Sequence, residues 1–380
     1  MKATDWVEQS LEQLRTDGLL RDPSTRSSPQ SNRIELDGTT LINFGSNDYL
    51  GLANELGELL TKSQSCGWGS GASPLITGRS TMHVELQRQL ADFEEQPAAL
   101  LFTSGYAANV GTIASLIGRG HTVFSDAKNH ASIIDGCRLS RADVRVFRHN
   151  DVDHLRELLA ASQPTRRLIV TDGLFSMDGD MAPLVEYAQL AEEFDAMLLV
   201  DEAHATGVFG DNGRGTCEHL GVEDGVTVRV GTLSKALGSI GGFVSASESL
   251  VEWIANAARS YFFSTAPPAT VCAQGLAGLK IAREQPHRRR ELLELAGNLR
   301  DQLAVMNFDL GPSCSQIIPI YMGEPERAMA AADRLRDCSV YAPGIRPPTV
   351  PKGESMLRIS LSWSHTQEDV EELLSALRQL

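Results

Sequence analysis

The chain has 380 residues, with 34 Lys and Arg against 49 Asp and Glu, a formal net charge of −15. That balance argues against a polyanion-binding surface, because affinity for nucleic acid rests largely on basic side chains neutralising phosphates. With 42% apolar and 22% charged residues, the composition is that of a globular protein long enough for two or three structural units. No apolar run approaches the ~18–20 residues of a membrane span. The opening stretch "MKATDWVEQSLEQL" is polar where a secretory leader would be apolar. Cys66, Cys137, Cys217, Cys272, Cys314 and Cys338 are scattered without a CxxC pair, which speaks against a disulfide framework or a zinc site. The expectation is a cytoplasmic protein with neither a membrane nor a nucleic-acid partner.

Residues 1–45 read as an N-terminal arm. Trp6, Val7, Leu11, Leu14 and Leu19 recur at roughly helical spacing and lead into the polar stretch "RDPSTRSSPQSN". Residues 46–280 read as a large domain in which short apolar runs alternate with helix-length segments. "AALLF" (98–102), "TVFSD" (122–126), "RLIVTD" (167–172), "MLLVDE" (197–202), "VRVGT" (228–232) and "GGFVSAS" (241–247) are the expected strands. "HLRELLAAS" and "LVEYAQLAEEF" are amphipathic helices between them. Runs that are continuously apolar indicate strands covered on both faces, and their alternation with helices implies an α/β fold with a doubly wound, mostly parallel sheet. Residues 281–380 read as a smaller α+β domain: helix "HRRRELLELAGNLRDQLAVM", strands "SQIIPIYM" and "LRISLSW", and the closing helix "TQEDVEELLSALRQL".

Ligands of open α/β sheets bind beyond the carboxyl ends of the strands, and here those ends carry chemistry. After "AALLF" comes "TSGYAANVGTIASL", where the amides of Gly105 and Tyr106 make either a phosphate cup at a helix N-terminus or an ordinary Ser/Gly turn with its cap. "VRVGT" runs into "LSKALGSIGG"; Lys235 is either a solvated surface lysine or a desolvated amine available as a nucleophile or Schiff-base partner. "LLVDEAHATGVFG" delivers Asp201 and His204. The letters DEAH would suit an ATPase, but no GxxxxGK[ST] phosphate loop occurs, and "GWGSGASPLITG" contains no lysine. A lysine amine, a carboxylate and an imidazole converging on one pocket are what pyridoxal phosphate requires. The triple Arg288-Arg289-Arg290 reads as a solvated helix face, and Asp178-Gly179-Asp180 as a turn lacking the other ligands of a calcium loop.

With these residues in view, "TLSKALGSIGG" (232–242) resembles the cofactor-attachment signature of the α-oxoamine synthases, pyridoxal-phosphate enzymes of fold type I. The order of motifs is similar across most of the chain: "NFGSNDYLGL", "FTSGYAAN", "DAKNHASIIDG", "FSMDGDMAPL", "VDEAHATGVFG", "FSTAPPA" and "IRPPTVPKGESMLRISL". The resemblance implies a fold-type-I PLP-dependent transferase in which Lys235 forms the Schiff base with pyridoxal 5'-phosphate. Asp201 would pair with the ring nitrogen, His204 with the phenolic oxygen, and His130 would stack on the ring. Ser176 and Thr232 would bind the ring oxygen and phosphate beside Gly105 and Tyr106. Ser264 and Thr265 would reach the phosphate from a neighbouring subunit, making a homodimer with its active site at the interface. Arg21, Asn47, Thr349 and Arg358, with His130, would contact substrate, Arg358 holding the amino-acid carboxylate.

Members of this family join an amino acid to an acyl-CoA with loss of carbon dioxide. "IRPPTVP" and "RHNDVDHL" look most like the branch that joins L-alanine to pimeloyl-CoA in biotin synthesis. The alternatives are branches that use glycine or serine with another acyl-CoA.

Overall fold

In a computed structural model of the chain, which describes residues 3–55, 67–163 and 165–380, every apolar run named above forms a strand. Cys66 lies outside the described residues. In chain order the strands are β1 (Arg33–Leu36), β2 (Thr39–Asn43), β3 (Ala98–Phe102), β4 (Thr122–Asp126), β5 (Asp143–Phe147), β6 (Arg167–Asp172), β7 (Ala196–Asp201), β8 (Val228–Thr232), β9 (Gly242–Ala246), β10 (Ile317–Gly323), β11 (Val340–Tyr341), β12 (Gly344–Ile345) and β13 (Ser355–Ser360). The backbone divides into two units. One comprises Asp48–Ser176 with Asp180–Glu291, and the other Met1–Asn47 with Met177–Gly179 and Leu292–Leu380.

The first unit is built on a seven-stranded sheet in the order β3-β9-β8-β7-β6-β4-β5. β9 runs antiparallel to β3 and β8; the other pairings are parallel. Burial explains why these runs lack polar alternation. Leu168 and Val170 of β6 enter one core with Val123, Leu199 and Val230. Ile169 between them enters the opposite core with Phe124, Leu198 and Val200. Each face of the sheet is covered, so most positions of its inner strands carry an apolar side chain, each worth about 2 kcal/mol when fully buried.

β5 was not among the expected strands, and its pattern shows why. It pairs only with β4 at the sheet edge, and four of its five residues, Asp143 to Val146, keep contact with solvent. An edge strand does not need the apolar signature by which the others were read.

β4, β6, β7 and β8 are neighbours running in one direction, and they end on Asp126, Asp172, Asp201 and Thr232. Four consecutive strand ends therefore present oxygen-bearing side chains along one edge of the sheet. The helices that follow β3 and β4 are capped by side chains just beyond the ends of those strands. Ser104 accepts from the Ala107 amide at the start of Gly105–Leu116, and His130 caps Ala131–Ser140.

In the second unit β1 and β2 form a hairpin through Asp37-Gly38, both at positive φ (51° and 79°), the conformation a tight two-residue turn requires. β11 pairs parallel to β2, and β10, β13 and β12 form a separate antiparallel sheet. The closing helix Gln367–Leu377 begins with a reciprocal cap between Thr366 and Asp369. Asp369 also receives Asn32 Nδ2 and Arg33 Nη2, each at 2.8 Å.

The N-terminal arm is helical over Asp5–Thr16, so Leu19 falls beyond its end. None of its residues is buried, and Trp6 is 66% exposed. One expectation fails outright: Arg288-Arg289-Arg290 is not a solvated face. Arg288 and Arg289 are buried. Arg288 Nη1 donates to Leu50 O (2.9 Å) and Glu55 Oε1 (2.6 Å), and Arg289 donates to the carbonyls of Ala282 and Asp211. A guanidinium's several donors let it serve as an internal tie between carbonyls, a use that sequence charge does not reveal. Among the described residues no helix is long and apolar enough to cross a membrane.

Candidate active site

Asp201 closes β7 and is 4% exposed. Its Oδ1 accepts the Ala203 amide at 2.8 Å and its Oδ2 accepts Asn109 Nδ2 at 2.5 Å. A buried carboxylate held by two donors is fixed in direction, so it can face one cationic partner. The short turn that follows brings in His204, also buried, whose Nδ1 lies 2.6 Å from Tyr49 Oη.

His130 stands at the end of the loop after β4. Its backbone N–H donates to Asp172 Oδ2 at 2.7 Å. The residue as a whole is exposed. Burial nevertheless lowers the imidazole pKa; the Asp201 charge opposes that shift and Lys235 reinforces it. His130 is thus within electrostatic reach of both Asp201 and Lys235. Asp172 senses the same groups: burial, then the Asp201 charge, pushes it well above the ordinary carboxylate range, while Lys235 pulls it back.

Lys235 lies in the turn after β8, half-buried. The turn is closed by Leu233 N to Gly241 O (3.0 Å), Ser239 N to Leu233 O (2.8 Å) and Gly238 N to Lys235 O (3.0 Å). Gly238 must remain glycine. Its φ is +64°, and a side-chain carbon would stand 2.5 Å from the Leu52 carbonyl carbon. The turn thus presents the lysine from a rigid support.

The two readings of the Gly105–Tyr106 turn prove compatible. Ser104 caps the helix through Ala107 N, which leaves the first amides of the helix, Gly105 and Tyr106, with no intrahelical acceptor. Gly105 adjoins the end of β8: a carbon added to it would stand 3.6 Å from Thr232 Cβ and Oγ1. Thr232 Oγ1 itself donates to Gly241 O at 2.7 Å and accepts Ser234 N at 3.2 Å. Two helix amides with neighbouring hydroxyls form a cradle suited to a phosphate. Together with an amine, a directed carboxylate and two imidazoles, the donor set fits pyridoxal phosphate.

The remaining residues singled out from sequence fall elsewhere. Ser176 is half-buried after β6. Ser264 is half-buried and Thr265 exposed, in the segment whose Ala266 amide is tied to Ala72 O at 3.0 Å. In the other unit, Arg358 on β13 is 5% exposed and donates to Asn47 Oδ1 at 3.1 Å. Arg21 donates to Thr349 Oγ1 at 2.9 Å, and Arg346 Nη2 to Leu20 O at 2.9 Å, so the arm is registered against the 346–349 segment at two successive residues.

Sequence reading passed over Tyr49, Asn109, Ser132 and Asp172. Each lies inside or at the end of a stretch that had been singled out, "NFGSNDYLGL", "FTSGYAAN", "DAKNHASIIDG" and "RLIVTD". Only hydrogen bonds to residues distant in sequence separate them from ordinary polar positions.

Residues 39–377 match the family model for class I and II aminotransferases. A protein of Anaeromyxobacter dehalogenans named 8-amino-7-oxononanoate synthase is 45% identical over 378 residues, covering 99% of this chain and 95% of that protein. One of the same name from Symbiobacterium thermophilum is 42% identical over 385 residues, covering 100% and 98%. Among solved structures, serine palmitoyltransferase from S. paucimobilis with a bound PLP-myriocin aldimine superposes with TM-score 0.92 at 32% identity, covering 99% of this chain and 96% of that one. An 8-amino-7-oxononanoate synthase from Francisella tularensis gives TM-score 0.77 at 26% identity, covering 89% and 97%.

Proposed function

The chain belongs to the class I and II aminotransferase family and within it to the α-oxoamine synthases, and from that premise we propose that it condenses L-alanine with a pimeloyl thioester, releasing carbon dioxide and the thiol to give 8-amino-7-oxononanoate. Sequence identity of 42–45% over essentially the whole chain carries this reading. The higher TM-score to serine palmitoyltransferase reflects the shared fold of the family; at 32% identity it favours a serine-using reading less.

Pyridoxal phosphate, when bound, supplies an electron sink for a carbanion at the α-carbon of the amino acid. The chain's own residues would divide the remaining work. Lys235 Nζ would hold the cofactor's aldehyde carbon and move the α-proton. Asp201, directed by Asn109 and the Ala203 amide, would keep a proton on the ring nitrogen. His204, oriented by Tyr49, and Ser176 would bind the ring oxygen, and His130 would cover the ring face. The Gly105 and Tyr106 amides and Thr232 would hold the phosphate. Ser264 and Thr265 would complete that cradle from a second copy, in a cytoplasmic homodimer. Arg358 and Asn47 would bind the substrate carboxylate, with Arg21 and Thr349 as further substrate contacts.

The deciding experiment is thiol release by cofactor-loaded protein. L-alanine, glycine and L-serine are each paired with pimeloyl-, succinyl-, acetyl- and palmitoyl-CoA. The reading requires the fastest release from alanine with pimeloyl-CoA. A best rate with serine and palmitoyl-CoA would reassign the branch, and no release from any pair would overturn the reaction class.

A further inference from the structure

Asn109 is 1% exposed in the helix Gly105–Leu116. Its Nδ2 donates to Asp201 Oδ2 at 2.5 Å and to Ser132 Oγ at 2.9 Å. A carboxamide nitrogen carries two hydrogens, and both are used. Turning the amide over would set Oδ1 against the Asp201 carboxylate, so the charge of Asp201 fixes its orientation.

The next link follows by counting protons. Ser132 Oγ accepts from Asn109 and has one hydrogen of its own. His130 Nδ1 lies 2.7 Å away and is the acceptor in reach. The Ser132 backbone N–H points at the same nitrogen from 3.3 Å. A ring nitrogen that receives two donors carries no proton, so the imidazole hydrogen resides on Nε2. Behind the ring, Asp172 Oδ2 takes the His130 N–H at 2.7 Å. Asn129 Oδ1 accepts the Asp172 amide at 2.9 Å while its Nδ2 donates to Val170 O at 2.8 Å. The backbone that bears His130 is therefore stitched to the end of β6 on both sides of Asp172.

We propose that Asn109 and Ser132 are positioning residues that couple Asp201 to His130 through one directed chain of hydrogen bonds, holding His130 as the neutral Nε2–H tautomer; the site's cofactor role, on which this rests, is the one assigned above. Asn109 Nδ2 heads the chain, with one hydrogen on Asp201 Oδ2 and the other on Ser132 Oγ, and the Ser132 hydrogen points on to His130 Nδ1; reversing any link leaves two donors or two acceptors face to face. His130 is thereby a donor through Nε2. To take a proton on Nδ1 it would have to displace the Ser132 hydroxyl, which leaves Lys235 as the base of the site. Burial and Lys235 both favour the neutral ring, against the opposing charge of Asp201.

Histidine-selective nitrogen NMR, with and without pyridoxal phosphate, reads the tautomer directly, the His130 signal being assigned by its loss in His130→Gln. At neutral pH the protein should show a protonated Nε2 and an unprotonated, hydrogen-bonded Nδ1. Ser132→Ala should mix the two tautomers, weaken cofactor binding about fivefold, as expected for one lost hydrogen bond, and lower kcat more than it changes KM for alanine. Ser132→Thr, which keeps the hydroxyl, should restore the single tautomer. A protonated Nδ1 in the unsubstituted protein would overturn the proposal, as would an unchanged tautomer in Ser132→Ala. The cofactor-free spectrum depends on no turnover, so a different acyl donor in the thiol-release grid would leave this test standing.

Discussion

Asp172 and Asp201 stand opposite one another in register at the ends of the parallel strands β6 and β7, 3% and 4% exposed. Two buried carboxylates so placed do not both ionise readily, and the burden falls on Asp172, whose proton is held well above the ordinary carboxylate range by burial and then by the Asp201 charge. The native state thus binds this proton more tightly than the unfolded chain. Its contribution to stability is complete below the unfolded pKa and is lost as pH rises toward the native one. Asp172→Asn keeps an acceptor for the His130 amide and abolishes the titration. Its Tm should decline less than that of the unsubstituted protein from about pH 4 upward; equal slopes would show that Asp172 does not carry the proton.

Lys235→Ala should fold, because the turn that bears it is closed by backbone hydrogen bonds and by Gly238 rather than by the amine. It should lose the visible absorbance of bound cofactor that depends on the lysine. Thiol release should fall at least ~10³-fold, as expected when a covalent anchor and base are removed together. Retained turnover would refute the role given to this residue.

Arg358→Lys tests the substrate carboxylate site. The guanidinium offers a planar pair of donors, one of which is already oriented by Asn47 Oδ1; an ammonium has neither the fork nor the reach. KM for alanine should rise about tenfold or more, with cofactor affinity unchanged. An effect confined to cofactor affinity would move Arg358 out of the substrate site.

His365 gives the fold an acid limit. It is buried and stacked on Phe44 at 4.3 Å between ring centroids. Its Nε2 lies 3.0 Å from Asn43 O, and its Nδ1 accepts Ser362 N at 2.9 Å. Both nitrogens are satisfied in the neutral form, and burial holds the pKa down at about 4. The unfolded chain takes up this proton first. Stability is therefore full above about pH 6.5 and falls through the window down to about 4, by roughly 3 kcal/mol at most. His365→Gln should flatten the Tm profile across that window.

At the opposite edge from the active site, Arg229 on β8 is 2% exposed. Its Nη1 bonds Glu223 Oε1 at 2.6 Å and lies 3.4 Å from Glu94 Oε2, and its Nη2 donates to the Glu94 carbonyl. Burial raises the Glu94 pKa to about 8, so Glu94→Gln should cost less than about 1 kcal/mol. Arg229→Ala strands buried acceptors and should cost about 3–5 kcal/mol in denaturant unfolding, with kcat per folded molecule unchanged.

What was legible in the sequence had a local signature. The six strands from "AALLF" to "GGFVSAS" were readable because burial on both faces leaves few polar positions, and Lys235, Asp201, His204 and His130 stood out as candidates because each sits in a motif. β5 was not readable, since an edge strand obeys no such constraint. Arg288 and Arg289 misled, because a basic run looks solvated until the carbonyls around it are known. Asn109, Ser132 and Asp172 depend on partners 23, 92 or 42 positions away, and such pairings exist only once the sheet order is fixed.

The parallel pairing of β11 with β2 joins Val340 to Ile42, and it sets a timetable for synthesis. The hairpin of β1 and β2 leaves the ribosome early, yet its partner strand is not made until nearly 300 residues later, about 15–60 s at ordinary elongation rates. The strands of the seven-stranded sheet, β3 to β9, emerge and can pair among themselves in that interval. A nascent chain halted before residue 340 should therefore protect β3 to β9 from protease while β1 and β2 remain cleavable, so that the protein acquires the framework of its catalytic sheet before its first strands find their place.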